Sequence, residues 1–253
     1  MRSLTKFLLA AIFLTGSVYT FATPHKVVKI DSTEWVVRNV SNFDQLKIQG
    51  PFEVHITQGT VESLKLKAPS EILDRILTEV NGNVLRIQNK HDNWGWSDKS
   101  WWSDKSWWRH HDKIVVYLTV KNLSSISTSG SNNVTFENGL TANSLKLRVR
   151  GSGNVKGKIT VKTLESSLSG SANVKLSGKA ENSTIKVSGS GNFNAPDLVT
   201  VTSAVHVSGS GGVKINANDR IDAAISGSGG VSYTGTAKVA ISKKSGSGSI
   251  QRF

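Results

Sequence analysis

The chain has 253 residues, no cysteine, and 31 Lys plus Arg against 18 Asp plus Glu, which gives a formal net charge of +13. The absence of cysteine excludes disulfides, thiolate metal sites, a cysteine nucleophile and a lipid anchor of the bacterial lipoprotein type. Residues 113–253 carry 17 basic against 6 acidic side chains, whereas residues 1–112 carry 14 against 12, so the positive charge belongs to the second half.

Residues 1–22 have the pattern of a secretory signal peptide. Two basic residues precede an apolar run over 7–18, and small and polar residues lead to Ala22. The run is shorter than the roughly 20 residues that span a bilayer, so we expect cleavage after Ala22 and no transmembrane segment in the mature chain. A lead-in over 23–41 follows. The pattern predicts an exported protein that is periplasmic, on the outer surface, or secreted.

The first regular β-structure is predicted near residue 42. In the segment QLKIQGPFEVHI, Leu46 and Ile48 precede Gly50, and apolar residues again alternate after it. Alternation of this kind is typical of strands with one buried face, and glycine permits a sharp bend between them. The same arrangement recurs in the second half of the chain, so we expect the repeated structure to begin here.

Further elements are predicted between this segment and residue 120. Ser70 is a candidate cap for a short helix over 71–78, because the apolar residues of that stretch share one helical face. Asn81-Gly82 is typical of a tight turn. Three strands are predicted in this region, at 63–68, 84–89 and 114–120.

Residues 90–112 form a tryptophan-rich insertion that contains the tandem repeat SDKSWWSDKSWW. Its balanced charge disfavours a basic aromatic surface for nucleic acid, and a six-residue period disfavours an amphipathic membrane helix. A hairpin closing at 103–106 would pair indole rings across its strands; a disordered loop is the alternative. If ordered, the rings could stack on sugars, anchor a partner protein or cover the scaffold. The candidate ligand-binding residues are Trp94, Trp96, Trp101, Trp102, Trp107 and Trp108.

Three histidines bracket the insertion. His91 lies at its start, and His110 and His111 lie at its end, so a hairpin would bring them together. With neighbouring aspartates they are weak candidates for zinc or copper ligands. No rigid element fixes their spacing, so solvated side chains are the preferred interpretation, and neither a metal site nor a cofactor is predicted.

From residue 129 onward a motif of the type SGSGNV recurs seven times. Successive first glycines are 21, 19, 19, 20, 18 and 19 residues apart, and an apolar residue stands four positions after each. These glycines are Gly130, Gly151, Gly170, Gly189, Gly209, Gly227 and Gly246. Such a period predicts an all-β, parallel, right-handed β-solenoid with coils of about 19–20 residues, since β-propeller blades usually need about 40. The regular repeats cover 121–250, and the whole solenoid covers 42–250.

Asparagine stands three positions after four of these glycines. Because asparagine tolerates left-handed and turn conformations, we expect a turn at each of these positions. The four residues are Asn133, Asn154, Asn173 and Asn192.

Basic side chains line predicted outward faces of the repeats. Lys146, Arg148 and Arg150 alternate with apolar residues, and Lys156 and Lys158 follow in the next repeat. One interpretation is attraction to polyanions such as lipopolysaccharide phosphates, acidic exopolysaccharide or matrix nucleic acid. The other is that exposed lysines keep a strand-rich protein soluble. Sequence-specific nucleic-acid recognition is not expected, because no nucleic-acid-binding motif is present.

The glycine motifs fit other functions poorly. Strands follow them and not helices, which argues against phosphate-binding loops. The repeats lack the regular aspartate of calcium-binding β-rolls. Only six acidic residues follow position 120, without the clustered pair that polysaccharide-cleaving enzymes need.

The chain resembles a bacterial secreted family, the putative auto-transporter adhesin, head GIN domain. The resemblance rests on FDQLKIQGPFEVHITQG, SEILDRILTEVNGNVLRI, IVVYLTVKNLSSISTSGSNNV and the recurrent SGSGNV coils, over about residues 42–250. It implies a single-chain β-solenoid in an exported protein and brings no catalytic or ligand residues. We therefore expect a non-catalytic protein that binds a glycan, lipopolysaccharide or a surface protein, in an oligomeric state that stays open. A polysaccharide-active enzyme and a structural envelope component are the alternatives.

Overall fold

The computed structural model describes residues 33–90 and 113–253. The predicted signal peptide, the six candidate tryptophans and the three candidate histidines lie outside these residues. The elements are β1 (Thr33–Arg38), β2 (Gln45–Gln49), β3 (Phe52–Gln58), β4 (Ser63–Pro69), α1 (Ser70–Leu73), β5 (Ile76–Asn81), β6 (Val84–Asn89), β7 (Ile114–Val120), β8 (Ser125–Gly130), β9 (Asn133–Gly151), β10 (Asn154–Gly170), β11 (Asn173–Gly189), β12 (Asn192–Gly209), β13 (Gly212–Gly227), β14 (Gly230–Thr234), β15 (Lys238–Ser245) and β16 (Ser249–Arg252).

The regular repeats stack as a parallel β-solenoid, as predicted. Strands β9 to β13 pair in parallel, and each spans most of one coil. Equivalent residues lie in register: Val155 pairs with both Val134 and Val174. About seven coils, some 19 residues apart, form the stack. Each coil therefore buries its apolar residues against those of its neighbours.

The corner glycines adopt a backbone conformation that other residues avoid. Gly170 has φ +96°, and its neighbours in the stack, Gly151 and Gly189, have φ +93° and +106°. Gly151 also accepts a hydrogen bond from the Ser171 N–H, at 3.0 Å, so the corners are joined through their backbones. The close stacking of these turns explains why the motif is uniform.

The asparagines after the corners do not form turns. They are the first residues of their strands, and the only described non-glycine residue with positive φ is Asn42. Their side chains form an amide ladder, in which Asn154 Nδ2 donates to Asn133 Oδ1 at 2.8 Å and Asn192 donates to Asn173 at 3.3 Å. The expected turn was wrong because stacking offers each amide a partner one coil away.

The segment around Gly50 is a coil of the same stack, as predicted. Leu46 on β2 is in register with Ile126 on β8, and Val54 on β3 is in register with Val134 on β9. The opposite edges of β2 and β3 pair in parallel with β6 and β7. The chain thus passes back over its first coil, and β6 with β7 forms a further coil beyond it.

Antiparallel strands complete this end of the stack. β4 pairs with β7, β1 pairs with β4, and β5 pairs with β6 through the predicted turn, where Gly82 has φ +61°. The predicted helix over 71–78 is correct only for its first turn, since α1 ends at Leu73 and Ile76 begins β5. The apolar residues of 76–80 lie instead on β5, which pairs antiparallel with β6. The cap position is Pro69 and not Ser70.

The core is continuous from Val40 to Ala237 and consists mainly of Val, Ile and Leu. Within the described ranges, no helix is long and apolar enough to cross a bilayer.

Candidate binding groove

The basic residues predicted on β9 lie on the outside of the solenoid. Leu147 and Val149 are buried, whereas Arg148 and Arg150 are exposed. Lys146 is half-buried, because its ammonium lies 2.8 Å from the Glu165 carboxylate. The alternation read from the sequence is therefore present in the structure.

The two predicted basic sets, one on β9 and the other at Lys156 and Lys158, belong to different ladders, by which we mean rows of residues in register on successive coils. Arg148 precedes the glycine corner and is in register with Ser167. Lys156 follows the corner and is in register with Thr135 and Lys175. The structure therefore does not unite Lys156 and Lys158 with the residues of β9 in one strip.

Two outward ladders run along the solenoid on the side that precedes the corners. The ladder three positions before each glycine runs through Arg148, Ser167, Lys186, His206, Ala224 and Lys243. The ladder one position before each glycine runs through Arg150, Ser169, Ser188, Ser208, Ser226 and Ser245. Hydroxyls and positive charges thus lie side by side on neighbouring coils.

Apart from Arg148, the residues of these ladders line an open groove of about 700 Å³. It extends from Arg150 to Lys243 and Lys244, across six coils, which at a strand spacing of about 4.8 Å is a length of about 24 Å. Lys186 and His206 lie between its ends, and none of the described residues that line it is acidic. We call this feature the serine groove.

Two acidic side chains near the groove, Glu165 and Asp222, stand five positions before a repeat glycine, and both form ion pairs with basic side chains. The Lys146 ammonium, by its hydrogen bond, lowers the pKa of Glu165, and the charges of Lys146, Arg148 and Lys186 act in the same direction. Arg220 binds both carboxylate oxygens of Asp222, at 3.0 and 3.1 Å, and this contact raises the pKa of the guanidinium. No ion pair among the described residues involves Arg150, Lys186, Lys243 or Lys244, so the groove keeps its positive charge.

Sequence reasoning found one end of the groove and missed the rest. Arg150 lines it, but Lys146 and Arg148 do not. Lys186 and Lys243 were missed, although each stands three positions before a repeat glycine, as Arg148 does. Comparing that offset across the repeats would have identified them. His206, at the same offset, was predicted from its buried valine neighbours to face outward as a solvated side chain, and it is exposed.

The tryptophan insertion leaves the scaffold at a coil corner. Gln88 is in register with Gln49, and Ile114 is in register with Phe52. Only Gly50 and Pro51 lie between Gln49 and Phe52. The insertion therefore lies in sequence between two positions of the β6 and β7 coil whose equivalents in the next coil are joined by a two-residue corner. This coil is at the end of the stack remote from Lys243.

The groove supplies hydrogen-bond donors and positive charge along one line. Serine hydroxyls, ammonium groups and a guanidinium suit carboxylate, sulfate and phosphate groups. Their spread over six coils fits an extended ligand better than a small one.

The fold and this surface define a β-solenoid protein with an elongated basic face. The chain belongs to the family of the putative auto-transporter adhesin, head GIN domain, whose model matches residues 42–237. Membership of an adhesin family indicates an exported or surface protein.

Solved structures share the architecture. A putative adhesin from Bacteroides fragilis has a TM-score of 0.76 and 26% identity, over 88% of this chain and 99% of that one. A putative lipid binding protein from Parabacteroides distasonis has a TM-score of 0.68 and 23% identity, over 87% of this chain and 96% of that one. A putative adhesin from the same organism has a TM-score of 0.69 and 18% identity, over 88% and 98%. A search of curated proteins finds no match.

Proposed function

We propose that this chain is an exported, non-catalytic protein that binds an extended anionic glycan at the cell envelope through the serine groove. The observation that carries the proposal is the groove itself: basic side chains and serine hydroxyls in register over six coils, with no acidic residue in the lining. Membership of an adhesin family supports a role in binding surface molecules.

The arrangement favours a polymer that carries several negative groups along its length. Arg150 lies on the coil of Gly151, Lys186 on that of Gly189 and Lys243 on that of Gly246, so the charges are two and three coils apart. At about 4.8 Å per coil these intervals are about 10 and 14 Å. The serines between them offer neutral donors to hydroxyl and carboxylate groups of the intervening units.

The test uses two matched triple variants. One changes the groove residues Arg150, Lys186 and Lys243 to serine, and the other changes Lys156, Lys158 and Lys175 to serine. Both remove three positive charges, but the second set lies in ladders beyond the corner. Binding of polygalacturonate, intact lipopolysaccharide and dephosphorylated lipopolysaccharide is measured at two salt concentrations, with dextran as the neutral control.

We expect the groove variant to lose about tenfold or more in affinity for an anionic probe and the second variant to retain it. Binding of polygalacturonate alone identifies uronic acids as the ligand, and loss of binding after dephosphorylation identifies lipid phosphates. Equal losses in both variants, or no binding of any anionic probe, would contradict the proposal. Release of new reducing or unsaturated ends from polygalacturonate would instead support the alternative of an enzyme.

The tryptophan insertion is a second proposed contact surface. In sequence it lies between β6 and β7, the strands of the coil at the end of the stack remote from Lys243. Its test is the deletion described in the Discussion, applied to the same binding measurements.

A further inference from the structure

Three rings are stacked on the outer surface at the β1 end of the molecule. The ring centroids of Trp35 and Tyr117 are 5.5 Å apart, and those of Tyr117 and His55 are 4.9 Å apart with an angle of 13° between the planes. Trp35 is 56% exposed and Tyr117 is 41% exposed. The three residues, on β1, β7 and β3, form what we call the aromatic platform.

Polar contacts hold the platform in place. His55 Nδ1 lies 2.6 Å from a carboxylate oxygen of Glu137, and Nε2 lies 3.3 Å from a carboxylate oxygen of Glu53. The other Glu53 oxygen lies 3.3 Å from the Lys113 ammonium. The imidazole is thus hydrogen-bonded through Nδ1 and has a second carboxylate near Nε2, and Tyr117 stacks on it.

Charges of both signs surround the rings. The Lys67 ammonium lies 5.7 Å from the centroid of Trp35, and the Glu53 and Glu137 carboxylates lie at the edges of His55. Large rigid rings with a few polar groups around them are typical of binding sites for small organic groups. A cationic ligand is disfavoured, because the Lys67 ammonium near the indole would repel it and Lys113 neutralises Glu53.

We propose that the aromatic platform binds a neutral sugar ring of a glycan. One face of a pyranose carries mainly C–H groups, which pack on the exposed part of the Trp35 indole, while Tyr117 supports that ring from behind. Its hydroxyls both donate and accept, so a ring on Trp35 can use the Lys67 ammonium and a sugar unit beside His55 can use the Glu137 carboxylate. Beyond His55 the same ladder continues as Thr135, whose hydroxyl is available to the next sugar.

This site is independent of the serine groove. His55 and Thr135 follow the glycine corner of their coils, whereas the groove ladders precede it. The groove variant described above should therefore bind neutral oligosaccharides as the unaltered chain does, which separates failure of one proposal from failure of the other.

The experiment titrates the full mature chain with three probes by calorimetry: hexasaccharides of β-1,4-linked glucose, β-1,4-linked N-acetylglucosamine and α-linked mannose. We expect saturable binding of at least one probe. Trp35→Ala and Tyr117→Ala should each weaken it about tenfold or more, and Trp35→Phe should weaken it less because a ring is kept. The control is Val201→Ala, at an apolar side chain that is 49% exposed elsewhere on the solenoid. It should not alter the affinity.

The insertion carries further tryptophans, so each titration is repeated on the chain that lacks residues 91–111. Binding that survives this deletion and falls in Trp35→Ala supports the platform. Binding that disappears with the deletion but is unchanged in Trp35→Ala overturns the proposal. Absence of saturable binding to all three probes also overturns it. Should Trp35→Ala fail to fold, Trp35→Phe and Glu137→Gln provide the same comparison.

Discussion

The carbonyl oxygen of Gly151 lies 2.7 Å from the position that a Cβ on Gly170 would occupy. This approach repeats at the neighbouring corner, where the carbonyl of Gly170 lies 2.8 Å from the corresponding point on Gly189. The corners are therefore closed to any side chain for two reasons, the positive φ and the stacked backbone.

Gly170→Ala should destabilise the solenoid strongly. The φ of +96° disfavours an L-residue, and the added methyl meets backbone that cannot move without breaking the hydrogen bond from Ser171 N–H to the Gly151 carbonyl. We expect a loss of about 3–5 kcal/mol in the free energy of unfolding, measured by denaturant titration. Gly82→Ala is the matched control, since φ there is +61° but, apart from its chain neighbours, no atom of the described residues lies within 4 Å of the added Cβ. Its cost should be about 1 kcal/mol. Equal losses would show that contact between the corners is unimportant.

Ser203→Ala should weaken the core at a polar contact inside the stack. The hydroxyl of Ser203 is hydrogen-bonded to Ser183 at 2.8 Å and to Thr200 at 2.7 Å, and all three side chains are buried. Removing it leaves two hydroxyls without this partner, at an expected cost of about 1–3 kcal/mol. Ser208→Ala, on the exposed ladder of the groove, should change the free energy of unfolding by less than about 0.5 kcal/mol. The prediction is wrong if the two variants are equally stable.

Glu165 should titrate below its ordinary value. Its pKa is lowered from 4.5 chiefly by the hydrogen bond from Lys146, and then by the positive charges nearby. A carboxyl with a lowered pKa in the folded state stabilises the protein above pH 4.5 and loses that contribution as the pH falls through the lowered value. The contribution should stay below about 1 kcal/mol because the pair is exposed to solvent.

The measurement is the carboxyl ¹³C shift of Glu165 followed against pH. Lys146→Met should move the midpoint upward. Lys179→Met should leave it unchanged, because Lys179 is in register with Thr160 and not with Glu165. A midpoint that does not respond to Lys146→Met would contradict the assigned cause.

Deletion of residues 91–111 should leave the solenoid folded. Four residues, Asn89, Lys90, Asp112 and Lys113, would then join Gln88 to Ile114. In the next coil only two residues, Gly50 and Pro51, join the equivalent positions Gln49 and Phe52. We expect the thermal midpoint to change by less than about 5 °C, corresponding to roughly 1–2 kcal/mol in a chain of this size.

The contrasting deletion removes Ser152 and Gly153 from a corner inside the stack. It shifts β10 against β9 and β11, and should abolish cooperative unfolding. A collapse of stability after deletion of 91–111 would instead show that the tryptophans are part of the core or its cover.

The predictable part of this fold is the part built from repeats. In all seven copies an apolar residue stands four positions after the corner glycine, as Val174 does after Gly170. This constant offset indicates stacking, because each residue contacts its own equivalent one coil away. The first coil was predictable for the same reason: Gly50 and Val54 keep that offset. The helix over 71–78 was less predictable, because its apolar residues suit a helix and a strand equally and the pairing of β5 with β6 decided between them.

The sequence by itself determined the stacking axis, the coil length and the inward and outward alternation, since all of these follow from a local pattern repeated along the chain. Only the tertiary structure determined which outward-facing residues lie together on one surface. Arg150 and Lys243 are 93 positions apart, yet they line one groove because parallel register aligns the ladders of every coil. His55 and Tyr117 are neighbours in one parallel ladder, but Trp35 shares no repeat offset with them. Trp35 meets Tyr117 because the antiparallel strands β1 and β4 close the end of the solenoid and bring into contact chain segments that no local periodicity relates.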